Sequence, residues 1–219
     1  MFTSNCGHHL VVLSSGTIPL SYYRVLRNAF EPEYLGELQG QIMACRYFAV
    51  NNLNRDFVGT KGFSVVFQRS GLNEVERRFP FFKPYLKVAL QPTCNAFYLN
   101  PLLLQTGSRV DPHIDRSLRS YCKTIEPPDM VSVLYVQVPS ALIGGELVLR
   151  SNKRQVGCIR PQLNTLLYFQ GDLTHSVKEV ASPVSTRLSL VCEQYSLLPT
   201  ELQEIPAFAI ESRAIKSST

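Results

Sequence analysis

From residue 62 onward, the sequence is a succession of short runs rich in β-branched and aromatic residues, separated by turn-forming residues. Such runs favour strands over helices, because their side chains pack well on a pleated surface. The predicted strands are FSVVF (63–67), TCNAFYL (93–99), MVSVLYVQV (130–138), GELVLR (145–150), NTLLYF (164–169) and TRLSLVCEQY (186–195). Many short strands at this spacing predict a β-sandwich or jelly-roll-like barrel.

Helical patterns are concentrated before this β-rich part. LSYYRVLRNAF (20–30) and YLGELQGQIMACRYFAV (34–50) place apolar residues at helical spacing, and a short helix is expected near 82–90. The sequence therefore predicts a mainly β fold with flanking α-helices. We expect a single domain over 1–219, with mainly helical support in 1–62, the β core in 63–200 and a C-terminal tail in 201–219 that frays at its end.

Composition excludes several classes of protein. The chain is 45% hydrophobic and 18% charged, as in ordinary globular proteins, and its net charge of +5 is spread along the sequence rather than clustered. Nucleic acid is therefore not an expected partner. No run approaches the roughly 18 apolar residues of a membrane span. Six scattered cysteines without a CxxC pair, behind an opening that lacks a secretory signal, predict reduced thiols in a cytoplasmic protein.

The segment DPHIDRS (111–117) carries a candidate metal site. His113 and Asp115 are two residues apart, so on a strand their side chains point the same way. His175 follows the predicted strand NTLLYF in QGDLTHSV, where it can join them. Two imidazoles and one carboxylate form the facial triad of non-haem Fe(II) oxygenases, although the same set also serves catalytic zinc. A structural His–Asp pair is the alternative. The other histidines, His8 and His9, are expected at the surface.

A candidate anion site lies further along the chain. Arg187 stands in the strand STRLSLV among apolar residues, where a guanidinium is costly unless it meets an anion. Ser189 lies on the same face of that strand, and a dicarboxylate that binds the metal at one end could meet both residues at the other. The alternative is an internal salt bridge with Glu193 or Glu146.

The motifs DPHID, IGGELVL, LLYFQGDLTHSV and STRLSL, in this order, resemble the 2-oxoglutarate- and Fe(II)-dependent dioxygenases, and within them the prolyl-4-hydroxylase-like branch. The resemblance covers about residues 93 to 195. It implies a double-stranded β-helix, or distorted jelly roll, with Fe(II) at its open end, 2-oxoglutarate and O2 as cosubstrates, and ascorbate as an accessory reductant.

The resemblance also implies roles for individual residues. Iron would be held by His113, Asp115 and His175. The distal carboxylate of 2-oxoglutarate would be bound by Arg187, Ser189 and Tyr135, and Tyr98 would lie near the cosubstrate. A glycine pair, Gly144 and Gly145, would allow a tight turn or a close backbone approach before a core strand.

The implied reaction is hydroxylation of an unactivated C–H bond. Halogenating members of the family lack the metal-binding carboxylate. The presence of Asp115 therefore favours hydroxylation over that type of halogenation, whereas desaturation and ring formation stay open. A prolyl or other residue in a peptide or protein is the expected substrate; a free amino acid or secondary metabolite is the alternative. Arg116 and Arg119, in a loop (116–129) expected at the metal mouth, are candidates for binding an anionic substrate group. The rival functions are a metal-binding jelly-roll module, a zinc enzyme and a nucleic-acid demethylase.

Overall fold

Residues 22–51, 53–182 and 186–214 are described by the computed structural model, in which two antiparallel sheets face each other. The larger sheet contains β1 (Tyr23–Arg27), β2 (Ala49–Val50), β4 (Lys61–Gly62), β5 (Ser64–Gln68), β6 (Ala96–Gln105), β8 (Met130–Gln137), β11 (Thr165–Gln170), β13 (Thr186–Tyr195) and β14 (Phe208–Glu211). The smaller sheet contains β3 (Phe57–Val58), β7 (Arg109–His113), β9 (Leu147–Ser151), β10 (Arg154–Ile159) and β12 (Thr174–Val177).

In both sheets, most neighbouring strands are not consecutive along the chain. The larger sheet runs β1-β11-β8-β13-β6-β4-β2, with β5 also on β6 and β14 on β5, and the smaller one runs β10-β9-β12-β7-β3. Alternate residues of both sheets point into a shared apolar core, which joins Leu102 and Val133 of the larger sheet to Leu149 and Val177 of the smaller one. This is the predicted jelly roll, and the fold class is confirmed.

Of the four α-helices among the described residues, the first three cover the outer face of the larger sheet and build a second core there, whereas the fourth packs on a separate small cluster. In chain order they are α1 (Pro32–Ala44), α2 (Leu72–Arg78), α3 (Lys83–Ala89) and α4 (Pro199–Leu202). Pro32 starts α1 where its missing N–H costs nothing, and helical spacing brings Leu35, Leu38 and Ile42 onto the buried face. Each such side chain contributes about 2 kcal/mol of hydrophobic stabilisation, which fixes the sheet from outside.

Most strand predictions are confirmed, and so is the short helix near 82–90. The helix expected over 20–30 is wrong, because Tyr23–Arg27 is a strand that pairs with β11 along its whole length. The helix expected over 34–50 ends at Ala44, and the chain returns to the sheet at Ala49. Residues 22–62 are therefore not mainly helical.

The C-terminal segment is also more ordered than expected. Phe208–Glu211 forms β14 and pairs with β5, so this part of the predicted tail belongs to the larger sheet. His8 and His9 lie outside the described residues. In the part of the chain that the structure describes, no helix has both the length and the apolar character that a bilayer crossing requires.

Candidate metal centre and anion pocket

His113, Asp115 and His175 meet at one end of the smaller sheet. His113 ends β7 and lies directly opposite His175 on β12, so the antiparallel register brings the two imidazoles together. Asp115 follows two residues after His113, and its carboxylate lies 3.1 Å from His113 Nε2 and 3.4 Å from His175 Nε2. One ligand atom from each of the three residues lies within 4.8 Å of the others, which is the spacing that a shared metal ion requires.

Backbone carbonyls orient both imidazoles. His113 Nδ1 lies 2.9 Å from the carbonyl oxygen of Asp111, and His175 Nδ1 lies 3.1 Å from that of Leu173. A carbonyl only accepts hydrogen bonds, so each Nδ1 carries a proton, and each Nε2, which faces the Asp115 carboxylate, is the nitrogen that can bind a metal once it is deprotonated. Metal-binding histidines are oriented in this way by partners on their other nitrogen.

The site is largely buried, and its charges depend on one another. Burial opposes ionisation of Asp115, but the neighbouring His175 and His113 outweigh it and hold the pKa of this carboxyl below its usual value. Burial acts to lower the pKa of His113, yet the hydrogen bond and charge of Asp115 raise it overall. Asp115 therefore stays anionic at neutral pH, as a metal ligand must be.

Arg187 is buried on the inner face of β13. Its side chain is 2% exposed, and its Nη1 donates to the Gly145 carbonyl oxygen at 2.7 Å. Its guanidinium carbon lies 4.9 Å from the centre of the Tyr135 ring, while its Nε has no hydrogen-bond partner. Among residues 22–51, 53–182 and 186–214, no carboxylate forms a salt bridge with it.

Neither acidic residue considered as a partner for Arg187 is available to it. Glu193 accepts hydrogen bonds from Ser117 and Tyr195 instead, and Glu146 lies 3.8 Å from the Lys178 ammonium. A guanidinium remains charged even when burial lowers its pKa, as it does here. The pocket thus presents a buried cation whose charge the described residues leave uncompensated.

Two further predicted residues lie beside this cation. The hydroxyl group of Tyr135 is buried and has no hydrogen-bond partner in the structure. Ser189 pairs directly with Tyr135 across the strands and lies two residues from Arg187 on the same face, with its hydroxyl 3.5 Å from the Leu102 carbonyl oxygen. Both hydroxyl groups thus lie on the same face as Arg187, although neither residue is among those that line the cavity between the sheets.

The glycine pair allows the close backbone approach that the sequence predicts. Gly144 has φ +80°, and a Cβ atom there would lie 1.9 Å from the Glu179 carbonyl oxygen. Gly145 has φ +72°, and its carbonyl oxygen accepts the hydrogen bond from Arg187. These positive φ angles turn the chain tightly, which brings the backbone of this segment against the anion pocket.

Tyr98 lies at the opposite end of the inner face from Arg187. It pairs with Glu193, six residues along β13, which corresponds to about 20 Å of strand. Its hydroxyl donates to the Glu211 carboxylate at 3.0 Å. Tyr98 lines both the cavity between the sheets and the cavity at the metal, beside Asp115, so it lies at the metal end and not at the Arg187 end.

Of the two candidate arginines in loop 116–129, Arg116 lies at the mouth of the metal site and Arg119 does not. A cavity at the mouth is lined by Arg116 together with His113 and Asp115. Arg119 instead donates to the Ile125 carbonyl oxygen at 2.7 Å, within its own loop, and does not line that cavity. A second cavity runs between the sheets and is lined by Asp115 and His175 as well as by Arg187.

Sequence reasoning considered Glu193 only as a partner for Arg187 and missed its place at the metal end of the cavity. The residue is 4% exposed and lines the cavity between the sheets. Burial, followed by repulsion from the Asp115 carboxylate, raises its pKa to about 8. The sequence does indicate that Glu193 faces the cavity. Arg187, Ser189 and Glu193 are separated by even numbers of residues along β13, so their side chains lie on the same face of the sheet.

The donor set fits Fe(II). Two neutral imidazole nitrogens and one carboxylate on one side of a point leave the remaining octahedral positions open. The buried, uncompensated guanidinium in the same cavity fits the far carboxylate of a dicarboxylate such as 2-oxoglutarate.

The fold recurs in solved structures of oxygenases. A prolyl-4-hydroxylase from Pseudomonas putida superposes with a TM-score of 0.54 at 13% identity, over 81% of this chain and 94% of that one. An oxidoreductase of the 2OG-Fe(II) oxygenase family from Burkholderia pseudomallei gives 0.53 at 16% identity, over 80% and 86%. A prolyl hydroxylase from Trichoplax adhaerens, in complex with a hypoxia inducible factor peptide fragment, gives 0.53 at 14% identity, over 84% and 86%.

These likenesses establish a shared fold, as the sequence resemblance implies. At the level of sequence, a scan against protein-family models and a search of curated proteins both find no match.

Proposed function

We propose that the protein is an Fe(II)- and 2-oxoglutarate-dependent dioxygenase that hydroxylates an unactivated C–H bond. The observation that carries the proposal is Arg187, a buried guanidinium without an acidic partner among the described residues, in the same cavity as Asp115 and His175. A metal site alone would fit a zinc enzyme or a binding module equally well. Neither of those functions accounts for a second, cationic site connected to the first.

In this proposal the two ends of the cavity hold the two ends of the cosubstrate. His113, Asp115 and His175 would hold the metal, and the near end of 2-oxoglutarate would bind at this end of the cavity. Arg187 pairs with the far carboxylate, and the hydroxyl groups of Tyr135 and Ser189 donate to it. When bound, iron and 2-oxoglutarate activate O2 through oxidative decarboxylation of the cosubstrate to succinate.

The chain's own part in catalysis is orientation and exclusion of water. The Nδ1 protons of the two imidazoles stay on backbone carbonyls, so both Nε2 atoms remain available as ligands. The apolar side chains around the cavity, among them Phe169 and Leu147, keep water from the reacting centre. Asp115 occupies the third ligand position, which supports hydroxylation over halogenation.

For the substrate we propose a prolyl or other residue in a peptide or protein. The support is the order of the motifs, together with a fold shared with prolyl hydroxylases, one of them in complex with a peptide fragment. A free amino acid or secondary metabolite, with hydroxylation, desaturation or cyclisation, is the second candidate. Arg116 at the mouth is placed to meet an anionic group on either kind of substrate.

Succinate formation tests the proposed chemistry. The protein would be incubated in air with Fe(II), 2-oxoglutarate and ascorbate, with and without a library of proline-containing peptides. We expect succinate above the level of a folded His175→Ala variant, and a peptide that gains the mass of one oxygen atom. A folded, iron-loaded protein that forms no more succinate than this variant contradicts the proposal.

A further inference from the structure

We propose that Glu193 is a positioning residue for the metal centre, which it serves by holding Ser117 and thereby the backbone that carries Asp115. The inference rests on the proposed function, since it concerns the affinity of the same site for its metal. Glu193 touches neither histidine and is not counted among the ligands.

The contacts of Glu193 converge on one short segment. It accepts hydrogen bonds from the Ser117 backbone N–H at 3.2 Å and from the Ser117 hydroxyl at 2.5 Å. The Tyr195 hydroxyl donates to the same carboxyl group from two residues along β13. Both carboxyl oxygens are thus engaged, and two of the three donors belong to the residue two positions after Asp115.

The environment of this carboxyl group is costly. Glu193 is 4% exposed, and burial together with the Asp115 carboxylate raises its pKa to about 8. A buried acid near a second acid destabilises a fold unless its hydrogen bonds offset the cost. The hydrogen bonds from Ser117 and Tyr195 provide that offset, and those from Ser117 tie the carboxyl group to the segment that follows Asp115.

Apolar packing alone does not fix the segment. Ser117 begins a short 3-10 turn (Ser117–Ser120) in which Leu118 is fully buried against Tyr195 and Val66. Such contacts set how deeply the turn lies but are non-directional, so its rotation depends on hydrogen bonds, among them one between the Leu118 backbone and the Tyr195 hydroxyl. The paired hydrogen bonds from Ser117 are directional and set that rotation. The Asp115 carboxylate is thereby held within 3.1 to 3.4 Å of both imidazole Nε2 atoms.

Cobalt affinity tests the inference without turnover. Co(II) serves as a coloured probe for the metal site, and its dissociation constant would be measured by visible absorption for the wild type, Glu193→Ala, Ser117→Ala and the double variant. The control is Gln194→Ala, which removes a buried polar side chain from the same strand but on its opposite face, where it contacts Ser132 and Ala89.

We expect Glu193→Ala to weaken Co(II) binding about tenfold, the lower end of the effect of outer partners on metal affinity. Ser117→Ala keeps the Glu193 side chain and loses one hydrogen bond to it, worth about 1 kcal/mol, so a threefold to tenfold loss of Co(II) affinity is expected. The double variant should bind no more weakly than Glu193→Ala, because the contact is already lost. Gln194→Ala should stay within about twofold of the wild type.

Three outcomes would overturn the inference. The first is a folded Glu193→Ala variant that binds Co(II) as tightly as the wild type. The second is a double variant whose loss of Co(II) affinity equals the product of the two single losses, and the third is a Gln194→Ala control that weakens binding as much as Glu193→Ala. If Glu193→Ala does not fold, Ser117→Ala decides, since unchanged affinity there also overturns it. A wild-type protein that binds no Co(II) would instead refute the metal site itself and the proposed function with it.

Discussion

Replacing Arg187 by methionine should raise the stability of the metal-free protein and remove its affinity for 2-oxoglutarate. Methionine keeps an unbranched apolar side chain of similar reach but carries no charge. The guanidinium is 2% exposed, has no acidic partner among the described residues and leaves its Nε without a hydrogen bond. Its stabilising contacts are the Gly145 carbonyl oxygen at 2.7 Å and the Tyr135 ring at 4.9 Å.

The two effects have opposite signs and can both be estimated. Desolvation of an unpaired charge costs several kcal/mol, whereas a hydrogen bond from a charged donor and a buried cation–π contact contribute about 2 kcal/mol each. We expect a net gain in stability of about 2 kcal/mol in Arg187→Met, equivalent to a rise in Tm of roughly 4 to 8 °C for a chain of this size. Loss of one partner of a buried carboxylate–guanidinium pair costs about 3 kcal/mol or more, so 2-oxoglutarate should bind at least roughly a hundredfold more weakly.

The assay pairs thermal unfolding of the metal-free protein with calorimetric titration of 2-oxoglutarate into the Mn(II)-loaded protein. Arg24→Met is the matched control, because Arg24 also places its guanidinium over a tyrosine ring, at 4.2 Å from Tyr168, but lies at the surface. This control should change stability by less than about 1 kcal/mol and leave 2-oxoglutarate affinity unchanged. An Arg187→Met variant that is several kcal/mol less stable and binds 2-oxoglutarate normally would refute the reasoning.

Further predictions concern the pocket, the glycine turn and pH. Tyr135→Phe should weaken 2-oxoglutarate binding about tenfold through loss of one hydrogen bond to a charged group, whereas Tyr98→Phe should leave it unchanged; calorimetry that reverses this order contradicts the placement of the two tyrosines. Gly144→Ala should lower Tm much more than Gly107→Ala does. Both glycines have positive φ, but only at Gly144 would an added Cβ atom lie 1.9 Å from a carbonyl oxygen. Equal decreases in Tm for the two variants would contradict this. The folded pKa of Glu193, about 8, lies above its ordinary 4.5, so the folded protein holds more protons in this window and its stability should fall as pH rises through it. Glu193→Gln should flatten that part of the unfolding-against-pH profile, and an unchanged slope would count against the shift.

The metal ligands could be predicted because their pattern is local. His113 and Asp115 are two residues apart, so strand geometry predicts a common direction, and the two side chains do meet although β7 ends at His113. The approach of His175 depends on the register between β7 and β12, which pairs it with His113. That register is set by long-range pairing, so the sequence indicated the third ligand without placing it.

The failed prediction at 20–30 has a similar cause. Tyr23, Leu26 and Phe30 do occur at helical spacing, but Tyr23–Arg27 is rich enough in β-forming residues to join the edge of the larger sheet. Pairing with β11 then decides between two local preferences of similar strength. Information about β11, which lies more than 130 residues later, is not contained in the segment itself.

Distance along a strand was the other gap in prediction. Alternation placed Ser189 on the same face as Arg187, but only the pairing of Tyr98 with Glu193 shows that this tyrosine lies at the metal end of the inner face. The same register explains why Glu193 lies beside the metal site while Arg187, on the same face, lies in the anion pocket. A period of two predicts the face of a residue and leaves its depth in the cavity undetermined.

The most direct test of the proposed oxygenase is an anaerobic titration of Fe(II) and 2-oxoglutarate into the protein. A weak visible charge-transfer band is expected when the cosubstrate chelates the iron. The band should vanish in His175→Ala, and in Arg187→Ala it should need far more 2-oxoglutarate. A folded, iron-loaded wild-type protein that shows no band at saturating 2-oxoglutarate would contradict the account and favour a zinc enzyme or a binding module.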